Sequence, residues 1–252
     1  MLFFHRFRDI ISERKTSARG RNFLPFDEQI DGWDKANGKM AWGIKGVEFA
    51  KMTAAPPPVL TDDDRSSGFN GIAIFYGFGD DGLGNADSIL SGKMAWEYAI
   101  NCGENKTWQC GYIDFCKPKN IRLRYEAPAR PKGFYYGKIH LGLKYQVVTV
   151  SQVRRQLKTD TGCGPEGLQL LSITHFHLTE LMNKHQLPFM SLSDYEVAPR
   201  GVNDFSDAPQ IFCSDNRLGL GIGNVERNYP LFGIPTLRFC PWPNVSKRFP
   251  TL

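Results

Sequence analysis

The sequence predicts an α+β fold that is rich in short strands, with an N-terminal amphipathic helix and a long helix over residues 165–187. Three observations lead there. The 252 residues include 25 Gly and 16 Pro, spread so that apolar runs are cut into short pieces, which favours turns and strands over helical bundles. Strict alternation in IRLRY (121–125) and the one-sided placing of Ile139, Leu141, Leu143, Tyr145 and Val147 in GKIHLGLKYQVVTV (137–150) give half-buried strands. Helical spacing of apolar residues recurs only at the N-terminus, over 87–100 and after Pro165.

In chain order, residues 2–15 place Phe3, Phe4, Phe7, Ile10 and Ile11 on one face of a helix, with Arg6, Asp9, Glu13 and Arg14 opposite. The polar segment TSARGRN follows. We therefore divide the chain into a helical arm over 1–18 and a single β-rich domain over 19–252. The arm's aromatic face needs a cover, which its own domain or a second chain can supply. KMTAAPPPVLTDDDRSSGFNG (51–71) reads as a surface loop, because a Pro run meets an Asp run and then Ser and Gly. Ile72–Tyr76 is a strand leading through a Gly/Asp turn into a helix, DSILSGKMAWEYAI. QCGYIDFC, IRLRY and GKIHLGLKYQVVTV read as successive strands, the last with Ile139, Leu141, Leu143, Tyr145 and Val147 on one face. The helix after Gly164 opens with Pro165 and Glu166 and ends before Pro188.

Composition excludes several classes. The formal net charge of +5 is spread along the chain, so nucleic-acid binding is permitted but not indicated. Cys102, Cys110, Cys116, Cys163, Cys213 and Cys240 lack CxxC pairs and are too sparse for a disulfide scaffold, so reduced thiols in the cytoplasm are expected. Arg6, Arg8 and Asp9 interrupt what would be the apolar stretch of an export signal, and no stretch is apolar enough to span a membrane.

Two motifs carry candidate chemistry. Gly77, Gly79 and Gly82 spell GxGxxG between a strand and a helix, but Asp80 and Asp81 in that turn would repel a pyrophosphate. A tight turn is the better reading. In TDTGCGPEGLQLL (159–171), Cys163 lies just before a helix N-terminus, where the macrodipole favours a thiolate. GCGP resembles the nucleophile region of papain-like, bacteriocin-processing peptidases over about a dozen residues, with Gln156 upstream where an oxyanion-hole glutamine could lie. That family's base is a histidine well downstream, and no His follows His185. His175 and His177, on the same helix, are about 15 to 18 Å from the cysteine end. His140 is left as the base of a cysteine-dependent hydrolase or transferase, although alternation puts it on the polar, solvent-facing side of its strand. His175, His177 and His185 do not form HExxH, and His175 shares a face with Leu171, Leu178 and Met182, as a packed histidine would. No metal is expected. Asp194, Glu196, Asp204 and Asp207 fall in a Pro/Gly-rich loop and read as solvated or as caps of strands, with nothing to fix their separation for acid/base work.

With the amphipathic N-terminal helix, the aromatic strand region GFNGIAIFYGFGDDG and the late helix GLQLLSITHFHLTELMNKHQLPFMSLSDY, the chain resembles cypovirus polyhedrins in size and order of elements. That resemblance implies an antiparallel β-sandwich body with a projecting helix, and Phe3, Phe4, Phe7, Ile10 and Ile11 as an assembly arm. It implies a homotrimer that packs around virus particles into intracellular crystals in the host cytoplasm and dissolves in alkali. It also implies no catalysis and no required cofactor, with a nucleotide held between subunits in some members. Tyr, Lys and Cys lose protons between roughly pH 8 and 10.5, which is compatible with alkaline release. The remaining alternative is a basic nucleic-acid-binding or host-interaction module.

Overall fold

The structure, a computed structural model, describes residues 23–54, 56–78, 87–102, 106–115, 120–157, 160–175, 177–184, 186–199, 204–214 and 217–240. The N-terminal arm with Phe3, Phe4, Phe7, Ile10 and Ile11 lies outside them, as do Gly79 and Gly82 of the GxGxxG string. The described residues form an α+β fold with two sheets that share one apolar core.

The first sheet is antiparallel throughout. Its order is β1 (Gly71–Gly77), β4 (Gly133–His140), β11 (Thr236–Cys240) and β5 (Thr161–Gly162). The pairing of β1 with β4 removes the parallel neighbour that a dinucleotide-binding turn needs after Gly77. The second sheet is mixed and centred on β8 (Asp207–Ser214), which pairs antiparallel with β9 (Arg217–Asn224), β6 (Phe189–Ser191) and β7 (Tyr195–Val197). β3 (Ile121–Leu123) extends β7, β10 (Phe232–Gly233) runs parallel to β6, and β2 (Lys106–Gln109) runs parallel to β9.

β1 is buried along its whole length, which is why GIAIFYG is an unbroken apolar run rather than an alternating one. Helix α1 (Phe26–Met40) covers it. Gln29, Trp33 and Ala36 form α1's buried face at a spacing of four and three, Asp27 and Glu28 complement its N-terminus, and Ala41 ends it in the left-handed region. On its side away from β4, β1 meets side-chain amides instead of a strand. Gln29 accepts from the Ile74 N–H (2.9 Å) and donates to the Ile72 carbonyl (3.3 Å). Gln169 accepts from the Tyr76 N–H (3.1 Å) and donates to the Tyr76 carbonyl (2.8 Å). Trp33 Nε1 donates to the Ile74 carbonyl (3.1 Å).

The rest departs from the sequence reading in four places. The expected loop over 51–71 holds the end of α2 (Gly46–Ala54) and all of α3 (Asp62–Ser66), because Thr61 and Asp64 form a reciprocal capping box and three Asp occupy the first turn. The strand expected to reach Val147 stops at His140. Gly142 turns the chain at φ 84° into a 3-10 turn at Leu143–Tyr145, and a second capping box, Thr149 with Gln152, starts α5 (Val150–Gln156). QCGYIDFC yields only the end of β2 before the chain turns. The predicted helix over 165–187 is three pieces: α6 (Pro165–Gln169), a π turn (Leu170–Thr174) and α7 (His177–Asn183). The Ser172 hydroxyl donates to the Leu168 carbonyl (2.7 Å), Ile173 and Thr174 are β-branched, and His175 leaves helical geometry at φ −140°, ψ 55°. Helix α4 (Asp87–Cys102) follows the expected segment.

Every residue of α6 and the π turn is buried. Gln169 reaches β1 of the first sheet, while a Cβ on Gly167 would come within 2.3 Å of Leu192 beside β6 of the second, so this helix lies in the core that the sheets share. At α1 the π turn approaches closely enough that a Cβ on Gly32 would lie 2.5 Å from the Ile173 carbonyl oxygen, whereas nothing lies within 4 Å of one on Gly38. Both are interior residues of α1, so Gly32→Ala should destabilise the protein by about 1–3 kcal/mol through overpacking, and Gly38→Ala should stabilise it by up to about 1 kcal/mol. Urea denaturation of the two variants checks this, and equal midpoints would show that the helix does not sit where described.

Candidate functional site

The TGCGPEG string lies at the start of the buried helix, and its geometry follows from close packing. Thr161 and Gly162 pair with Leu237 and Thr236 of β11. The Cys163 N–H donates to the Pro235 carbonyl (3.3 Å), and the Cys163 carbonyl accepts from the Asp194 N–H (3.2 Å). A Cβ at position 162 would lie 2.0 Å from Ser193 Oγ and 2.6 Å from Asp194 Oδ1. Gly162 and Gly167 are therefore glycines because neighbouring side chains press against their backbone.

Around this joint sits a sealed charge cluster. Arg130 Nε donates to Glu166 Oε1 (2.9 Å), and its terminal nitrogens donate to Glu166 Oε2 (3.3 Å), Asp194 Oδ2 (2.9 Å), the Gly162 carbonyl (3.2 Å) and the Pro128 carbonyl (2.8 Å). Glu166 also accepts from the Tyr135 hydroxyl (2.9 Å) and the Gly164 N–H (3.0 Å). Asp194 accepts from the Thr161 hydroxyl and the Gly162 N–H (3.1 Å), and Arg124 lies 3.5 Å from it. Burial opposes the charge on Arg130, but the two carboxylates outweigh it and hold the guanidinium protonated. Asp194, expected in a solvated loop, is fully buried, because Arg130, Thr161 and the Gly162 amide satisfy its carboxylate. Asp207 is buried too, within β8, while Glu196 is nearly buried and pairs with Arg122 (2.9 Å) and Arg154 (3.6 Å).

Cys163 has no exposed surface, and burial, reinforced by the charges of Glu166 and Asp194, pushes its thiol well above the ordinary range. The structure does not bring His140 to it. His140 pairs with Thr236, which pairs with Gly162, so two strand spacings of about 5 Å each separate the histidine from the cysteine's strand. Contrary to the solvent-facing reading, His140 is buried: the chain turns at Gly142, and Gly68 packs directly against the imidazole. Its Nδ1 accepts from the Gly142 N–H (2.9 Å), and burial followed by the charge of Lys144 pushes it down to about 4. His175 is packed against Phe23 and Thr174, as its apolar face suggested, and burial followed by His177 pushes it down to about 3. Among the described residues no group of three or more His, Cys, Asp or Glu is placed to hold a metal ion, and no helix is long and apolar enough to cross a membrane.

The second sheet carries a different feature on its outer face. Trp108, Gly219 and Phe212 stand directly opposite one another across β2, β9 and β8. Phe189 follows in the antiparallel register of β6, and Phe232 pairs with Phe189 on β10. The ring of Phe212 lies over Gly219, and ring centroids are 5.8 Å (Trp108 to Phe212), 6.2 Å (Phe212 to Phe189) and 5.4 Å (Phe189 to Phe232) apart. One row thus crosses five strands, about 19 Å. At the other end of this face α5 covers Ala208 and forms a small separate core with Val225 and Ile234. The aromatic end stays open among the described residues: Trp108 is 51% exposed, and the other three rings are half-buried.

Sequence reasoning did not find Arg130, Tyr135 or the aromatic row. Arg130 sits in APARPKG with no spaced partner, and the row joins residues from four distant segments, so neither leaves a local pattern. No protein family, no curated protein and no solved structure matches the chain.

Two outcomes are expected. Iodoacetamide at neutral pH should label half-buried Cys110 in the folded protein and Cys163 only after unfolding, as read by peptide mass spectrometry; rapid labelling of native Cys163 would contradict its burial. His140 and His175 are held neutral in the fold, so between about pH 6.5 and their folded values the unfolded chain binds more protons and stability is lost as the pH is lowered. His140 alone accounts for roughly 3 kcal/mol at most of this loss. In urea melts from pH 7 to pH 4, His140→Gln should flatten the slope without abolishing it, and an unchanged slope would be the contrary result.

Proposed function

We propose that the chain is a non-enzymatic structural protein that acts by self-association through the outer face of its second sheet. The observation that carries this reading is the aromatic row ending at Trp108 on β2, a four-residue strand that is an edge among the described residues, with β9 as its strand partner. A half-exposed Trp, on an edge strand free of proline and followed in the chain by exposed Tyr112, is the surface that a second strand pairs with. Pairing of two β2 edges about a two-fold axis makes the contact isologous and continues the row from one copy into the next. The sealed thiol of Cys163, distant from His140, favours this reading over a cysteine-dependent hydrolase.

An isologous edge closes at a dimer, so the trimer and the crystalline occlusion body implied by the resemblance to cypovirus polyhedrins need a second contact. The N-terminal arm with Phe3, Phe4 and Phe7 is our proposal for it. Burial pushes Tyr76, Tyr135, Tyr136 and Tyr195 upward and keeps them protonated, so alkaline release of such a lattice rests on groups other than these four.

Sedimentation velocity over a concentration series tests the reading. The wild-type chain should sediment as an oligomer, and Trp108→Lys should weaken association while the far-ultraviolet circular dichroism is unchanged. A wild-type chain that stays monomeric up to its solubility limit, or a variant that associates as the wild type does, overturns it.

A further inference from the structure

β11 and β4 do not end together. β11 stops at Cys240, opposite Tyr136, whereas β4 starts at Gly133, so Gly133, Phe134 and Tyr135 pair with β1 and meet no strand of the described residues on their other side. Beside this free stretch lies a cleft of about 710 Å³, walled by Val47 and Lys51 of α2, by Phe134, and by Phe239 and Cys240 at the end of β11, within the size range of sites that enclose organic groups. Phe134 packs on Phe49 of α2 (5.0 Å between ring centroids) and on Tyr76 (4.8 Å), so its side chain lies on the face of the sheet that α2 covers. Val47, on the same helix, is apolar yet 55% exposed. Cys240 is the last described residue, so the chain that follows it starts from the wall of the cleft.

The register says what that chain can do there. The Cys163 N–H donates to the Pro235 carbonyl (3.3 Å), so odd-numbered residues of β11 turn their backbone groups toward β5 and even-numbered ones toward β4. Thr236, Arg238 and Cys240 thus make the ladder with His140, Lys138 and Tyr136, and the next place on β4 is Phe134, opposite position 242. The sequence at 241–243 is Pro-Trp-Pro. Proline has no N–H to donate and is confined to strand positions whose N–H side is unpaired. Pro241 and Pro243 fall at the odd places, turned toward β5, which reaches no further along β11 than Leu237 opposite Thr161. Trp242, which has an N–H, falls at the even place where β4 offers a partner. Side chains of directly opposite residues share a face, so an indole at 242 stands beside Phe134 on the α2 side, where Val47 lacks a cover.

We propose that the cleft between α2, β4 and β11 is the docking site of the chain's own segment after Cys240, with Trp242 paired to Phe134 as the continuation of β11 and its indole laid on Phe134 and Val47. In that pairing the Phe134 N–H donates to the Trp242 carbonyl and the Trp242 N–H donates to the Phe134 carbonyl. A tryptophan joins a large apolar surface to an N–H that can stay at the wet rim, which suits a half-open cleft. The seat uses no residue of the aromatic row, and it stands whether or not the chain self-associates.

Amide hydrogen exchange of the full chain, read residue by residue by nuclear magnetic resonance, tests this. The Phe134 amide should be protected in the wild type, and Trp242→Ala should speed its exchange by about tenfold. The Lys138 amide, whose partner Arg238 lies within β11, should exchange alike in both proteins, which separates loss of the seat from loss of the fold. In the wild type, Overhauser contacts should join the Trp242 indole to the Val47 methyls, a readout that needs no variant. A Phe134 amide that exchanges as an unpaired one, a Trp242→Ala variant that leaves it protected, or an indole without contacts to Val47 overturns the proposal. In a mixture of differently labelled chains, indole contacts found only between unlike chains give the cleft to a second copy's segment and overturn it as well.

Discussion

Arg130 is the residue on which the arrangement of the core depends. It is almost fully buried between Glu166 and Asp194, and those three positions lie on the loop before β4, on the central helix and on the turn before β7. Deleting one partner of such a cluster costs about 3–5 kcal/mol, because a charge is then left uncompensated in a medium that cannot solvate it. The cluster therefore fixes how the start of the helix, the β5 strand and the turn at Asp194 meet. It also sets the chemistry of its surroundings: two carboxylates beside Cys163, added to burial, keep sulfur in its least reactive protonation state.

The interior and the surface thus divide the polar groups. Inside, Arg130, Tyr135, Thr161, Gln29 and Gln169 have their partners, and His140 holds one hydrogen bond as a neutral ring. Outside, the open aromatic end of the second sheet faces away from that interior. The contrast directs attention to surfaces rather than to the cysteine motif.

Local patterns in the sequence were enough for β1, β4 up to His140, α4 and the start of α6, because each is bounded by a Gly, Pro or capping residue and has a consistent period. They were not enough for α1, whose buried face is only Gln29, Trp33 and Ala36 in an otherwise polar segment with two glycines. The break at His175 was also hidden, since LLSITH keeps helical apolar spacing while Ser172 and the β-branched pair act against the helix. The misplacement of Asp194 has another cause. Its turn has the composition of a solvated loop, and only the three-dimensional neighbour Arg130, 64 residues away, makes burial of the carboxylate tolerable. Cross-strand rows such as Trp108 to Phe232 depend on register, which no single strand encodes.

The amides of Gln29 and Gln169 on β1 have a consequence for how the first sheet can grow. A strand that pairs with an edge presents its own second edge and so passes the hydrogen-bonding pattern on. A glutamine side chain bonds the Ile72, Ile74 and Tyr76 backbone in the same manner but has no further edge to offer. In the language of polymer chemistry the two glutamines are chain stoppers: they complete the sheet and leave nothing for the next unit to add to.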